Sequence, residues 1–278
     1  MARALGTKQF RSHILAWYKQ YGRHDLPWRK TRDPYKILVS EVMLQQTQTD
    51  RVKEKYKLFL TKFPTVTSLA RAPTRTVLAA WSGLGYNRRA LYLHRATQKI
   101  ARDFHGRFPQ TPEMLEMLPG VGPYTARAVC AFAWNKPEIF IETNIRRVFI
   151  YFHFKNRARV PDSDILPMIA RTLDHTNPRC WYWALMDYGA GALKEIPNPN
   201  RKSRHYTRQS RFEGSQRYAR AKILQFVLAR PHGVLVADVI RFSFRDSLLP
   251  HSRTEISEII SQLAAEGFLR KIGRVWKA

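Results

Sequence analysis

The chain has 278 residues, enough for one large domain or two of ordinary size. Hydrophobic residues make up 44% of it, which excludes wholesale disorder. Its 48 Lys and Arg against 21 Asp and Glu give a formal net charge of +27, and a polyanion would relieve the resulting repulsion. The positive charge makes nucleic acid the leading candidate partner, because Lys and Arg side chains that neutralise its phosphates release the counterions held there. An acidic membrane surface is the alternative.

The two cysteines, Cys130 and Cys180, exclude a disulfide framework and a four-thiolate metal site, and they favour a reducing compartment. The histidines show no ligand spacing, so we expect no metal site. The first residues have no long apolar region, and no apolar run reaches the length of a membrane span. We therefore expect an intracellular protein without membrane contact, in the cytoplasm or nucleoid of a prokaryote or in a eukaryotic nucleus.

Helical spacing of apolar residues dominates the chain up to residue 194. Turns rich in Pro and Gly separate the helical stretches, and alternating β patterns are nearly absent. This pattern predicts an all-α domain over residues 1–193. The predicted helices cover 10–21, 35–46, 52–63, 75–81, 89–104, 124–134, 144–154, 164–173 and 181–193.

Residues 194–217 are poor in large aliphatic side chains and rich in Lys, Arg, Asn and Ser. They are either a solvated linker or a basic strip that lies on phosphates, and the overall charge favours the strip. Arg201, Lys202 and Arg204 are its candidate DNA contacts.

Residues 218–278 return to a compact pattern of three helices followed by a basic β-hairpin at 268–276. The third helix is marked by Ser252 with Glu255 three residues later, a capping box. This order resembles a small winged-helix domain. The alternative is a packing module that binds no DNA.

The strongest local motif is LPGVGPYTA at 118–126, between two helical stretches. Gly120 and Gly122, on either side of Val121, allow a tight turn in which backbone amides point outward. The amides at the start of the next helix then form an anion site, for which phosphate is the natural guest. In this context the motif is the helix-hairpin-helix signature.

Two glutamates, Glu41 and Glu142, lie within or next to apolar stretches, where a carboxylate is unusual. Glu41 stands within an apolar helical stretch, where it either pairs with an arginine or is held partly protonated as an acid. Glu142 follows an apolar run and precedes Asn144 at a helix start, where it is an N-cap, a member of a surface ion pair or a second catalytic group. Two carboxylates flanking one pocket suit cleavage of a glycosidic bond.

These motifs together resemble the MutY branch of the helix-hairpin-helix DNA glycosylases, the endonuclease III superfamily. The resemblance covers roughly residues 10–193 and implies two helical subdomains, with the active site in the cleft between them. Its matching stretches are 21–29, 34–48, 63–66, 81–86, 118–126, 142–144 and 184–190.

The family's roles can be placed on matching positions, all as implications of the resemblance. Glu41 would be the general acid that protonates the departing base. Glu142 would stabilise the sugar cation, although the family has Asp there, and Asn144 would orient water or this carboxylate. Tyr124 stands where relatives with lyase activity have a Schiff-base lysine, which implies hydrolysis alone.

The resemblance also implies the DNA contacts. Gln46 and Tyr86 would wedge into the duplex or contact the opposite base. Gly120, Val121 and Gly122 would hold a phosphate, with a monovalent cation as an option at the hairpin. The base pocket would include Trp28, Arg29, Trp183 and Asp187.

Three departures from the family change the expectations. No cysteine follows Cys180, so no iron–sulfur cluster and no other cofactor is expected, and the basic segment 194–217 would replace the cluster region. The C-terminal residues do not resemble the family's 8-oxoguanine-reading domain. Trp183 replaces a glutamine near the base pocket, and an indole can stack on a base but offers a single donor.

The expected function is therefore a monofunctional DNA N-glycosylase of base excision repair, acting as a monomer on duplex DNA with a mismatched or damaged base. Such an enzyme flips the base and hydrolyses its N-glycosidic bond. Adenine opposite G or 8-oxoguanine is the first expected substrate. The alternatives are thymine or uracil in G mismatches, or another damaged base. An alternative of a different class is a catalytically inactive DNA-binding protein.

Overall fold

The computed structural model describes residues 6–208, 211–245 and 252–278. Helices dominate these residues, and the all-α prediction is confirmed. None of the helices within the described ranges is long and apolar enough to cross a membrane. The helices are α1 (Thr7–Tyr21), α2 (Pro34–Leu44), α3 (Thr49–Lys62), α4 (Val66–Ala70), α5 (Thr74–Trp81), α6 (Arg88–Asp103), α7 (Pro112–Glu116), α8 (Pro123–Trp134), α9 (Thr143–His153), α10 (Asp162–Thr172), α11 (Pro178–Ala190), α12 (Gln216–Leu228), α13 (Val236–Arg245) and α14 (Arg253–Ala265).

Two compact units emerge from the contacts between residues, and each is assembled from two separated stretches of chain. Unit 1 consists of Met1–Glu41 and Phe108–Arg208, and unit 2 consists of Val42–Arg107 and Gln209–Ala278. The sequence-based boundaries at 193 and 217 follow composition rather than contacts, and they stay predictions.

The core of unit 1 is aromatic and lies among α1, α9 and α11. Phe10 of α1 is fully buried, and its ring centroid lies 5.5 Å from that of Phe149 and 5.9 Å from that of Trp181. Tilted and edge-on ring pairs of this kind add to the stabilisation from burial. This packing fixes α11, the helix that carries Trp183 and Asp187.

The first part of the basic segment 194–217 is fixed to unit 1 by backbone hydrogen bonds. Val160 donates to the carbonyl of Lys202 at 2.7 Å and accepts from the amide of Arg204 at 2.9 Å. A 3₁₀ turn spans Pro199–Lys202, and the Asn200 amide group donates to the carbonyl of Thr143 at 3.0 Å. Around this turn the segment is therefore folded chain rather than a solvated linker.

Unit 2 places helices α3 to α6 together with the C-terminal residues. Phe59 and Trp81 are buried edge to face with centroids 5.9 Å apart. Three helices, α12 to α14, precede a hairpin of β1 (Arg270–Ile272) and β2 (Val275–Lys277), in which Lys271 pairs with Trp276. The order of elements matches the sequence prediction, whereas the winged-helix assignment stays a prediction.

Candidate active site

The helix-hairpin-helix motif forms the turn between α7 and α8. Gly120 adopts a left-handed φ of 76°, and Val121 anchors the turn by burying its side chain and donating to the carbonyl of Leu118 at 3.1 Å. Gly122 caps α8, and a Cβ atom added there would meet no other atom within 4 Å. The amides at the start of α8 are thus open to close approach by an anion.

Glu41 on α2 and Tyr124 on α8 form a buried pair. The Tyr124 hydroxyl donates to Glu41 Oε2 at 2.9 Å, and Glu41 is 7% exposed. Burial raises the pKa of Glu41 to about 7, with the charge of Glu142 acting in the same direction and the Tyr124 hydrogen bond opposing it. Burial and the two carboxylates raise the pKa of Tyr124, so the phenol keeps its proton. Glu41 is therefore partly protonated near neutral pH.

Glu142 is the N-cap of α9 and belongs to the same group of charges. Its Oε1 accepts from the amide of Ile145 at 2.8 Å, and its Oε2 accepts from the Asn144 side chain at 3.3 Å. Burial raises the pKa of Glu142, whereas the hydrogen bonds from Asn144 and Ile145 oppose the rise. The longer glutamate side chain thus folds back onto its own helix, where both oxygens are held.

Asp187 is the centre of an arginine network. Arg29 donates to its two oxygens at 2.6 and 2.8 Å, and Arg23 donates through its backbone amide at 2.8 Å and its Nε at 2.7 Å. Burial alone would raise the pKa of Asp187, but the hydrogen bonds and charges of Arg29 and Arg23 hold it below the ordinary value. Because Asp187 is 1% exposed and the Arg29 side chain 5%, this carboxylate is an anchor for Arg29.

Of the other predicted base-pocket residues, Trp183 lies against Arg29. The Arg29 guanidinium sits 5.3 Å from the ring centroid of Trp183, which stacks on Phe132 at 5.9 Å. Trp28 is buried. A cavity of about 930 Å³ opens beside Arg29 and Trp183, and its lining includes Arg32 and Arg179. The cavity and its basic lining were missed by sequence reasoning, because they form only when distant stretches meet.

In unit 2, Arg89 ties together the two loops that carry Gln46 and Tyr86. Its guanidinium donates to the carbonyls of Val42 at 2.9 Å, Met43 at 3.0 Å, and Leu84 and Gly85 both at 3.1 Å, and also to that of Gln45. Burial lowers the pKa of Arg89 to about 10, far enough above neutrality to keep its charge.

Gln46 and Tyr86 share an unusual backbone conformation. Their φ angles are 55° and 45°, a left-handed conformation that costs energy for residues other than glycine. Arg89 offsets this strain by donating hydrogen bonds to the carbonyls of the residues that precede them, Gln45 on one side and Leu84 and Gly85 on the other. Sequence reasoning missed Arg89, whose role depends on contacts more than 40 residues apart along the chain.

The predicted residues fall into separate groups. Glu41, Tyr124, Glu142 and Asn144 meet in unit 1, and Arg29, Trp183 and Asp187 form a second group there. Arg201, Lys202 and Arg204 are exposed, and the Lys202 ammonium donates to the carbonyl of Lys155. Gln46 and Tyr86 lie in unit 2.

The residues present do not fit the family's iron–sulfur cluster. The cluster needs four thiolates, and the chain has two cysteines, Cys130 on α8 and Cys180 on α11. Burial raises the pKa of Cys130 to about 11, which opposes thiolate formation. Across the ranges the structure describes, no group of three or more His, Cys, Asp or Glu side chains could hold a metal ion.

Comparison with known proteins gives a family match. Residues 39–163 match the model for the HhH-GPD superfamily base excision DNA repair proteins. The adenine DNA glycosylase of Buchnera aphidicola is 35% identical over 201 residues, which are 70% of this chain and 56% of that protein. The thymine/uracil-DNA glycosylase of Pyrobaculum aerophilum is 35% identical over 164 residues, which are 58% of this chain and 71% of that protein.

A solved structure supports the same fold. The structure of a thermostable thymine-DNA glycosylase superposes with a TM-score of 0.59 at 28% identity, covering 66% of this chain and 86% of that one. The chain spans about half the length of the adenine glycosylases that it matches. The similarity therefore extends to relatives named for adenine and to relatives named for thymine or uracil.

Proposed function

The chain belongs to the HhH-GPD superfamily of base excision DNA repair proteins, and from that premise we propose that it is a monofunctional DNA glycosylase. Its substrate is duplex DNA, and its first target is adenine opposite guanine or 8-oxoguanine. The main observation in support of this proposal is the buried Glu41, whose pKa of about 7 keeps an acid available at neutral pH beside a second carboxylate. Relatives named as adenine glycosylases support the choice of base.

The proposed reaction uses the two glutamates in opposite protonation states. The target base leaves the helix, and Glu41 donates its proton to a ring nitrogen of that base as the bond from the base to the sugar C1′ breaks. The sugar becomes an oxocarbenium-like cation, which the negative charge of Glu142 stabilises. Water adds to C1′ and gives up its proton to a carboxylate, leaving an abasic sugar.

Tyr124 supports hydrolysis without strand cleavage. A Schiff base requires an amine, and the phenol at this position holds its proton because burial and the two carboxylates raise its pKa. Its hydroxyl instead donates to Glu41 at 2.9 Å and orients that carboxyl group. We therefore expect an intact abasic strand as the product.

A second candidate is a glycosylase for thymine or uracil in G mismatches. It is favoured by the Pyrobaculum aerophilum relative, of which this chain covers a larger share than of the adenine enzymes. The indole of Trp183 beside Arg29 supports stacking on a base rather than the paired hydrogen bonds that a glutamine amide offers.

A single-turnover excision panel tests both candidates. Duplexes carry A, T, U, hypoxanthine or an oxidised base opposite G, 8-oxoguanine, C or T, and products are resolved with and without alkali. Release of adenine, cut only after alkali, is the expected result. Release of thymine or uracil would select the second candidate. Tight binding without release from any duplex would overturn both and favour a DNA-binding protein.

Substitutions of Glu142, the second carboxylate, test whether its negative charge contributes to base release. Glu142→Gln should lower the single-turnover rate at least about 100-fold, because it removes the charge that stabilises the sugar cation. Glu142→Asp should stay within about tenfold of wild type, because Asp keeps the charge and is a favourable N-cap. Both variants should bind a duplex with a tetrahydrofuran abasic analogue as wild type does. Equal losses in the two variants would contradict a charge-based role.

A further inference from the structure

Within unit 2, the C-terminal segment is docked on the helices that flank Tyr86. The Arg75 guanidinium on α5 donates to the carbonyls of Arg230, at 3.4 Å, and Leu228 at the end of α12. Glu266, which follows α14, pairs with Arg88 of α6 at 2.9 Å and with Arg220 of α12 at 2.8 Å. The segment is therefore positioned against α5 and α6 at several points.

This docking brings Arg217 to the side chain of Tyr86. The Arg217 Nη1 donates to the Tyr86 hydroxyl oxygen at 3.0 Å, across 131 residues of sequence. The Tyr86 ring also lies 5.4 Å from the Arg89 guanidinium. Tyr86 is 38% exposed and has a left-handed backbone, so the side chain is presented at the surface and is held by arginines from two distant parts of the chain.

The chemistry of this contact constrains the hydroxyl. A guanidinium group can only donate, so the Tyr86 oxygen must accept from Arg217 and its own proton is directed elsewhere. The nearby positive charge also polarises the O–H bond and strengthens it as a donor. Arg217 thus sets both the direction and the strength of the hydrogen bond that Tyr86 can give.

We propose that Arg217 is a positioning residue for specificity: through the Tyr86 hydroxyl, it sets which base is preferred opposite the excised one. The proposal rests on the proposed function, in which Tyr86 contacts the opposite base. A base with an acceptor within reach of the hydroxyl is favoured: on the major-groove edge, guanine and 8-oxoguanine offer the O6 carbonyl, where cytosine has an amino donor. The C-terminal segment thereby belongs to the base-reading apparatus.

The competing explanation is a general phosphate contact. In a chain with a net charge of +27, a half-buried arginine such as Arg217 would, if it lay near DNA, strengthen binding to every duplex equally. The two explanations differ in their dependence on Tyr86, because a phosphate contact does not need its hydroxyl. Tyr86→Phe removes that hydroxyl alone and keeps the ring.

The test is a double-mutant cycle read by binding, which requires no base release. Dissociation constants are measured for duplexes with a tetrahydrofuran abasic analogue opposite G, 8-oxoguanine or C, using wild type, Arg217→Ala, Arg217→Lys, Tyr86→Phe and the double variant. Arg274→Ala is the matched control, because it removes the same charge from an exposed position of the same segment.

Arg217→Ala and Tyr86→Phe should each lower the preference for G or 8-oxoguanine over C by about fivefold, the net effect of one neutral hydrogen bond. The double variant should show no further change, Arg217→Lys should restore part of the preference, and Arg274→Ala should leave it unaltered. Additive effects, a uniform loss over all duplexes, or no preference in wild type would overturn the proposal. An inactive wild type with the expected binding pattern would refute only the proposed function.

Discussion

Glu41→Gln is expected to stabilise the protein at pH 8 while it removes base release. Burial raises the pKa of Glu41 from 4.5 to about 7, so the folded state binds the proton more tightly than the unfolded state does. The stability from this group is complete below about pH 4.5 and is lost as pH rises to about 7. The full loss above pH 7 amounts to roughly 3 kcal/mol, and glutamine avoids it because it has no charge to bury.

Urea denaturation between pH 5 and pH 8 measures this effect directly. Wild type should lose stability as pH rises, whereas Glu41→Gln should show a flatter profile and the higher midpoint at pH 8. Glu54→Gln on α3 is the control, because Glu54 is exposed and its replacement should leave the profile unchanged. Parallel profiles for wild type and Glu41→Gln would contradict a proton held by Glu41.

The same variant, Glu41→Gln, also tests the role of Glu41 as general acid. A general acid contributes about 100- to 10,000-fold, so the single-turnover rate of Glu41→Gln should fall by that range. In wild type the rate should decline about tenfold per pH unit above pH 7, because Glu41 loses its proton there. Binding to the tetrahydrofuran duplex should stay within a few-fold. An equal loss of binding would make Glu41 a structural residue.

Asp187→Asn should cost about 3 to 5 kcal/mol of folding free energy, the penalty for leaving a buried charge without its partner. The Arg29 side chain is 5% exposed and would face an amide that offers one weak acceptor where the carboxylate offered two. The loss should appear in urea denaturation as a lower midpoint with an unchanged slope.

Asp103→Asn provides the matched control for this pair. Asp103 accepts from Arg102 at the end of α6, where solvent screens the interaction. This substitution should leave the urea midpoint within experimental error. If Asp187→Asn behaves like Asp103→Asn, the network around Arg29 does not contribute to stability in the way that the geometry implies.

Local sequence patterns predicted the secondary-structure elements well where the pattern itself stabilises the element, as helical periodicity and capping residues do. Helical periodicity located the long helices, and the Ser252–Glu255 capping box is present, with the Ser252 amide donating to Glu255 Oε2 at 2.7 Å. The segment 35–46 was predicted two residues too long, because Gln46 turns left-handed after Leu44. The short helices α4 and α7 were missed, because five residues are too few to show a period.

The site was predictable in its residues but not in its contacts. Glu41 was recognisable as a carboxylate in an apolar helix, whereas nothing in the sequence indicated that Tyr124, 83 residues later, would hold it. Arg29 pairs with Asp187 across 158 residues of sequence. The sequence alone does not distinguish this structural pairing from a direct contact of Arg29 with the base. Arg89 and Arg217 act through loops that meet only in the folded unit.

The division of both units into separated stretches bears on how the chain is made. During synthesis, Val42–Arg107 leaves the ribosome before Phe108–Arg208, yet it packs with Gln209–Ala278. At about 5 to 20 residues per second, the intervening stretch takes roughly 5 to 20 s to appear. Helix α5 is therefore made long before its partner α12, so the packing of unit 1 can be completed before that of unit 2.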